Sequence, residues 1–325
     1  MRLPNFIVIG AAKSATTSLH GQLLHHPDVF LSDPKEPEFF ARDDNYAKGI
    51  DSYATLFEGA GEEQVAGEMS TIYTMVQHFP KTPERIATHL PDARLVYMLR
   101  HPVQRAYSYY TQLIKGYQRS THDLTVNRTF EEFILPDAHA AAAPRHKAIA
   151  PHNGHLPDVP DLCTAASDYV TQIEAYLAHV PRDRMLFLLF EDYRRDPRAV
   201  LDQLTDFIGV RRLSDAEFCA GAGAQNTSAE HYGTMSKQKT IQRIKSVAGP
   251  LWNLRRLLPD AARDRLSGAV SSAMPSGGVE PPPMLPKTRQ MLEDRFRADL
   301  PRLQELTGLD LSAWKLCPDA MTAAE

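Results

Sequence analysis

Branched and aromatic apolar residues come in unbroken runs of strand length at Phe6 to Ile9, Leu95 to Leu99 and Met185 to Phe190, with a weaker run at Val65 to Met69. A strand that is apolar at every residue has no face to give to water. It must be covered on both sides, which is the setting of a parallel sheet between layers of helix. Helical spacing fills the intervals: Leu19, Leu23 and Leu24 follow the first run, and Tyr169, Val170, Ile173, Tyr176 and Leu177 precede the run at Met185. After that run Asp196 reads as an N-cap and Pro197 as the first helical residue, with Val200, Leu201, Leu204, Phe207 and Ile208 apolar and Gly209 as the stop. The alternation predicts an α/β fold, a central and mostly parallel sheet flanked by helices. Ligands of such sheets bind at the carboxyl ends of the strands.

The expectation is one domain over residues 1–325, with two less regular stretches. Residues 137–160 are rich in Ala, Pro and His without a sustained period and are expected to be a loop or insertion, whose four histidines lack paired ligand spacing. Residues 236–325 are expected to be mostly helical: a basic amphipathic pattern (Ile241, Ile244, Val247, Leu251, Leu254) occupies Ser236 to Leu258, and a break at Pro281 to Pro283 precedes a helical segment ending near Trp314. A formal charge of −4 gives no general attraction to nucleic acid or anionic lipid, so any anion site must be local. Cys163, Cys219 and Cys317 are odd in number and far apart, with neither zinc spacing nor a disulfide framework, and read as reduced thiols of a cytoplasmic protein. The short apolar run at the start leads straight into a polar loop, unlike a signal peptide, and no stretch approaches the ~20 apolar residues of a transmembrane segment.

Directly after the first strand come Gly10, Ala11, Ala12, Lys13, Ser14, Ala15, Thr16, Thr17 and Ser18, small and hydroxylated residues around one lysine. Small side chains let backbone N–H groups wrap an anion, the following helix adds partial positive charge, and the hydroxyls of Thr16, Thr17 and Ser18 can donate further. The pattern GxxxxGK[ST] of nucleoside-triphosphate loops is not met, because Lys13 precedes the threonine pair. A second block, Leu95 to Tyr110, places Arg100 at the end of a strand and Pro102 at the start of a helix, with Ser108 about two turns along it. Arg100 and Ser108 could meet on one anion, and Arg105 is a further candidate.

The two blocks together, KSATTSL and RHPVQRAYSYY, resemble the sulfotransferases that use 3′-phosphoadenosine 5′-phosphosulfate (PAPS), in particular the heparan-sulfate-sulfotransferase-like branch and its bacterial relatives. HPDVFLSDPKEPEFF, the stretch Phe190 to Tyr193 with Asp196-Pro197, and Leu303 to Trp314 extend the resemblance over most of the chain. It implies the sulfotransferase version of the P-loop NTP-hydrolase fold. Its implied site has Lys13, Ser14, Ala15, Thr16, Thr17 and Ser18 on the 5′-phosphosulfate, and Arg100 and Ser108 on the 3′-phosphate of PAPS and of its product PAP. No metal is required, and the acceptor is expected to be a glycan or small hydroxylated molecule, O- or N-sulfated. Ala15 stands where the family often has glycine, tolerable only if that position avoids a positive φ. Met69 stands where some members carry a lysine, a role that Lys35, Lys237 or Lys239 could take.

In-line sulfuryl transfer needs charge stabilised on the leaving nucleotide and a base for the acceptor proton. Lys13 is the candidate for the first task. The resemblance points to Glu36, in Pro34-Lys35-Glu36-Pro37-Glu38-Phe39-Phe40, for the second. A carboxylate beside prolines and aromatic rings is partly desolvated, which favours proton uptake, and Lys35 opposes it. Glu38, on the opposite side of an extended segment, is the next candidate, followed by His20, His101 and the pair His25-His26. Two other readings are open to the sequence: an atypical P-loop kinase, with Leu186 to Asp192 as a magnesium-holding strand, and a protein that binds PAP or another nucleotide without turnover.

Overall fold

The computed structural model describes residues 2–121, 128–142, 159–222 and 281–316. Five strands, β1 (Phe6–Gly10), β2 (Val29–Leu31), β3 (Val65–Met69), β4 (Arg94–Leu99) and β5 (Met185–Leu189), form one sheet in the order β2-β3-β1-β4-β5. Every neighbouring pair is parallel, and β1 is central, with Val8 opposite Met69 on one side and Val96 on the other. The four expected strands are all present. β2 is an addition: at three residues it is too short to show a period, and it pairs with β3 at the edge. Phe190 belongs not to the last strand but to the helix that follows it.

Alternation along the strands explains their unbroken apolar character, because successive side chains enter different cores. Ile7, Ile9, Leu95, Tyr97, Leu99, Phe187 and Leu189 share one buried cluster with Leu113 of α3 (Pro102–Thr121), Ile173 of α4 (Tyr169–Leu177) and Phe296 of α7 (Pro286–Thr307). Phe6, Val8, Val96, Met98 and Leu188 share another with Leu19 and Leu23 of α1 (Thr16–Leu24) and Leu201 and Leu204 of α6 (Pro197–Ile208). Between these lie α2 (Thr82–His89) and the short α5 (Phe190–Arg195).

The ends of α6 are as the sequence specifies: Asp196 Oδ1 accepts from the Ala199 amide at 3.0 Å, and Gly209 ends the helix at φ 84°. The loop expected over 137–160 begins instead as a helix, Pro136–Ala142, because its alanines are strong helix formers and a proline is favoured at a first helical position. Residues 143–158, the amphipathic pattern at Ser236 to Leu258, and Lys237 and Lys239 lie outside the described residues. α7 follows the proline break as expected, and a short turn at Ser312–Trp314 ends the described chain. Arg182, just before β5, donates to the carbonyls of Leu306 at 2.9 Å and Thr307 at 2.7 Å, satisfying acceptors that the end of α7 leaves open. Among the described residues no helix is long and apolar enough to cross a membrane.

Candidate active site

The loop from β1 to α1 lies at the carboxyl end of the central strand. Gly10 is required there by crowding: a Cβ would come within 2.8 Å of Thr74 Cγ2. The chain then turns through left-handed conformations at Lys13 (φ 71°) and Ala15 (φ 61°). The Ala15 carbonyl takes the first helical bond, from Leu19 at 3.0 Å, and no side chain caps the helix start. The amides of Thr16, Thr17 and Ser18 are therefore left without intrahelical acceptors, at the positive end of the helix dipole. Ser14 Oγ beside them is buried and finds no hydrogen-bond partner among the described residues. A row of donors without acceptors in this position suits an anion.

The condition placed on Ala15 is not met. Its φ of 61° is in the region that favours glycine, and an L-residue there costs about 1 kcal/mol. Ala15→Gly should therefore stabilise the protein by up to about 1 kcal/mol, net of the greater freedom of glycine in the unfolded chain, and raise the melting temperature by about 2 °C. A thermal melt showing a lower midpoint would contradict this.

Two arginines brace the loop from β4 and α3. Arg100 donates to the Lys13 carbonyl at 2.7 Å, and its guanidinium carbon lies 4.5 Å from the centroid of the Phe190 ring. The Tyr169 hydroxyl donates to the Arg100 carbonyl at 2.7 Å and accepts from its amide at 3.2 Å. Arg100 Nε is buried without a partner among the described residues, so a donor of this guanidinium is left for a ligand. Arg105 differs from expectation. It is 1% exposed, and its donors go to Ser167 Oγ at 2.8 Å and to the carbonyls of Ala12 and Cys163, both at 3.3 Å. It shapes the loop and has no surface to offer an anion. Ser108 is half-buried on α3.

The acids of the run at Leu186 to Asp192 are also occupied. Glu191 accepts from the His101 amide at 3.0 Å and from the Trp314 indole at 3.1 Å, fixing the start of α3 to the end of the chain's described part, while Asp192 pairs with Arg195 at 2.8 Å.

Facing the start of α1 is the segment after β2. Lys35 Nζ reaches Thr17 Oγ1 at 3.3 Å and Glu36 Oε1 at 3.1 Å, and Thr71 Oγ1 donates to Glu36 Oε2 at 3.4 Å. The structure thus brings Glu36 to the start of α1 through one lysine. Glu38 is not in an extended segment, as expected, but at φ 54°, and its carboxylate lies 3.5 Å from Arg42. The reason is tertiary: its amide donates to Ser70 Oγ and the aromatic pair behind it is buried, with Phe39 stacked 4.6 Å from Tyr53. Burial and the nearby Lys35 lower the pKa of His20 to about 4, leaving it neutral near pH 7, and burial also lowers that of His101. His25 and His26 spend a ring nitrogen each on the carbonyls of Gly21 and Arg211, both at 2.8 Å. Met69 is fully buried in the core beneath the sheet, so nothing charged reaches the loop from its position.

Sequence reasoning gives Glu68, inside β3, no role. Glu68, 1% exposed, accepts from Tyr53 at 2.7 Å, Tyr73 at 2.8 Å and Ser70 at 2.6 Å, and burial pushes its pKa up to about 7 against the opposing pull of those hydroxyls. The signal was an acid inside a strand otherwise bound for the core.

A family model described as a sulfotransferase domain matches residues 3–246. The chain belongs to the sulfotransferase family. The human bifunctional heparan sulfate N-deacetylase/N-sulfotransferase 3 is 31% identical over 220 residues, 64% of this chain and 22% of that protein. Human heparan sulfate glucosamine 3-O-sulfotransferase 3B1 is 30% identical over 212 residues, 65% of this chain and 47% of its own length. The chain thus spans less than half the length of these curated relatives. A sulfotransferase of Alicyclobacillus acidocaldarius superposes with a TM-score of 0.61 at 25% identity, covering 97% of this chain and 100% of that one. The parallel sheet, with a loop and helix following its central strand, is the sulfotransferase fold.

Proposed function

We propose that this sulfotransferase moves a sulfuryl group from PAPS, in line, to a hydroxyl or amine of a carbohydrate or similar hydroxylated metabolite, with Glu36 as general base. The observation that carries the reading is the bridge from Thr17 through Lys35 to Glu36, which sets a carboxylate opposite an uncapped helix start. The residues present fit the donor: the open amides of Thr16, Thr17 and Ser18 with Ser14 Oγ suit the 5′-phosphosulfate, and the unpartnered Arg100 Nε, with Ser108, suits the 3′-phosphate. Lys13 neutralises charge on the departing nucleotide, and Glu36 takes the proton that the acceptor loses as its oxygen or nitrogen bonds to sulfur. Lys35 is the replacement for the lysine missing at Met69.

A glycan acceptor is favoured by the names of the relatives, which include an N-sulfotransferase and a 3-O-sulfotransferase of heparan sulfate. The kinase alternative loses its support, since Glu191 holds the backbone and an indole and Asp192 holds Arg195. Titration calorimetry of the protein with PAP in EDTA, with ATP as control, tests the donor: PAP should bind and ATP should not, and the reverse would overturn the reading. In the same experiment Arg100→Ala should weaken PAP by about 10- to 100-fold, the range of a charge-assisted hydrogen bond. Adenosine 5′-phosphosulfate, which lacks the 3′-phosphate, should lose less than PAP, only what the loop loses with the Arg100 bond to the Lys13 carbonyl. Equal losses would remove Arg100 from the 3′ site.

A further inference from the structure

The proposed chemistry gives Glu68 no task, yet three hydroxyls converge on it in the core, and among the described residues no cation pairs with it. A carboxylate buried without a counter-ion is costly unless hydrogen bonds satisfy it. Each hydroxyl has one proton, and here each gives it to Glu68, which leaves the oxygen lone pairs of Ser70 and Tyr73 as acceptors. Both are used by one segment: the Glu38 amide donates to Ser70 Oγ at 3.2 Å and the Phe40 amide to the Tyr73 hydroxyl at 3.3 Å. The carbonyls of the same segment are held elsewhere, Pro37 by Asn45 Nδ2 at 3.1 Å and Phe40 by Arg85 at 3.1 Å.

We propose that Glu68 is a positioning residue for the segment 36–40: by taking the protons of Ser70 and Tyr73 it fixes their oxygens as acceptors for the Glu38 and Phe40 amides, and so holds Glu36 toward the phosphate loop. Its catalytic consequence rests on the reading of Glu36 as base; its structural content does not. The titratable groups facing Glu68 are Tyr53 from the helix Ile50–Ala54, Tyr73 from the turn Thr71–Thr74, Tyr176 from α4 and Glu36 from the segment itself. Burial holds all three tyrosines well above their usual range, so they stay neutral, and the charge of Glu36 adds to the resistance of Glu68 to ionising. When Glu68 takes up a proton it becomes a donor to one of the surrounding oxygens, so it no longer holds that hydroxyl's own proton, and a hydroxyl released in this way is no longer fixed with its lone pairs toward the segment. The segment is held when Glu68 is ionised and loosens on acidification through neutral pH.

The test is hydrogen–deuterium exchange of the full chain between pH 6 and 8.5, corrected for intrinsic rates, read on peptides covering residues 36–42. In the native protein protection should fall about tenfold from the alkaline to the acidic end. In Glu68→Gln it should be low and flat with pH, while peptides of β1 and the phosphate loop are unchanged. Tyr73→Phe keeps Glu68 and the core volume but removes the Phe40 acceptor, and should lose part of the protection while retaining its pH dependence; it decides the matter if Glu68→Gln does not fold. Protection that is independent of pH in the native protein, or a native profile in Glu68→Gln, overturns the proposal. With PAPS and a de-N-sulfated heparan oligosaccharide as probe acceptor, Glu68→Gln should lower kcat 10- to 100-fold with the KM for PAPS within twofold. Should Glu36→Gln be active while the exchange result holds, it is the base assignment that fails and the positioning role that stands.

Discussion

Lys13→Ala should lower kcat by about a thousandfold and leave the protein folded, because the cation it removes acts where charge develops on the departing nucleotide. The loop itself should survive the change. What Arg100 holds at residue 13 is the backbone carbonyl, at 2.7 Å, and Arg105 holds the carbonyl of Ala12. Neither bond involves the lysine side chain. Alanine tolerates the left-handed backbone at φ 71° no better and no worse than lysine. Melting temperature should therefore move by less than about 2 °C, and PAP affinity should fall far less than the rate. Single-turnover measurement of PAP release from PAPS separates the two effects, and a rate within tenfold of native would remove Lys13 from the mechanism.

Glu36→Gln should cost a factor of about 100 to 10,000 in kcat, the span associated with loss of a positioned base, with PAP binding unchanged. The substitution is nearly isosteric and keeps an oxygen for Thr71, which approaches Glu36 at 3.4 Å. It removes the negative partner of Lys35, so that cation is freed for Thr17 and for the donor. Binding of PAP should accordingly be native or slightly tighter. Glu38→Gln is the control: its carboxylate faces Arg42 at 3.5 Å, and its loss should leave kcat within a few-fold. An active Glu36→Gln with an inactive Glu38→Gln would exchange the two assignments.

The sheet was legible because burial on both faces leaves a plain mark: all four runs of apolar residues became neighbouring strands, in two cores that alternate along each strand. The caps of α6 were equally plain, since Asp196, Pro197 and Gly209 act within one turn of chain. What sequence could not give was long-range. Whether Arg105 serves an anion or the fold depends on Ser167 and Cys163, which lie 62 and 58 residues away along the chain. The left-handed backbone at Glu38 is hidden for a related reason: its amide is held by Ser70 and the neighbouring Phe39 stacks on Tyr53, partners that lie far along the chain. Glu68 is not legible because its partners come from a helix and a turn on either side of β3, and an acid in an apolar run has no meaning until they are placed.

The position of β1 at the centre of the sheet sets the order in which the protein can come to life. A chain made from its N-terminus has the loop after β1 before any of the residues that hold it in shape. The residues that hold that loop in shape arrive much later: Arg100 is 87 residues beyond the carbonyl it grips and Arg105 is 93, and Glu191, which anchors the start of α3, is 90 residues beyond His101. Loop closure over such distances must precede any gain from the contacts, so parallel pairings of this kind form slowly. During synthesis at about 5–20 residues per second, the nascent chain passes many seconds with the apolar edge of β1 exposed and nothing on its β4 side. A truncated product lacking β4 and β5 would keep the loop's sequence and have no nucleotide site, and its uncovered central strand would make it a substrate for chaperones instead of a partial enzyme.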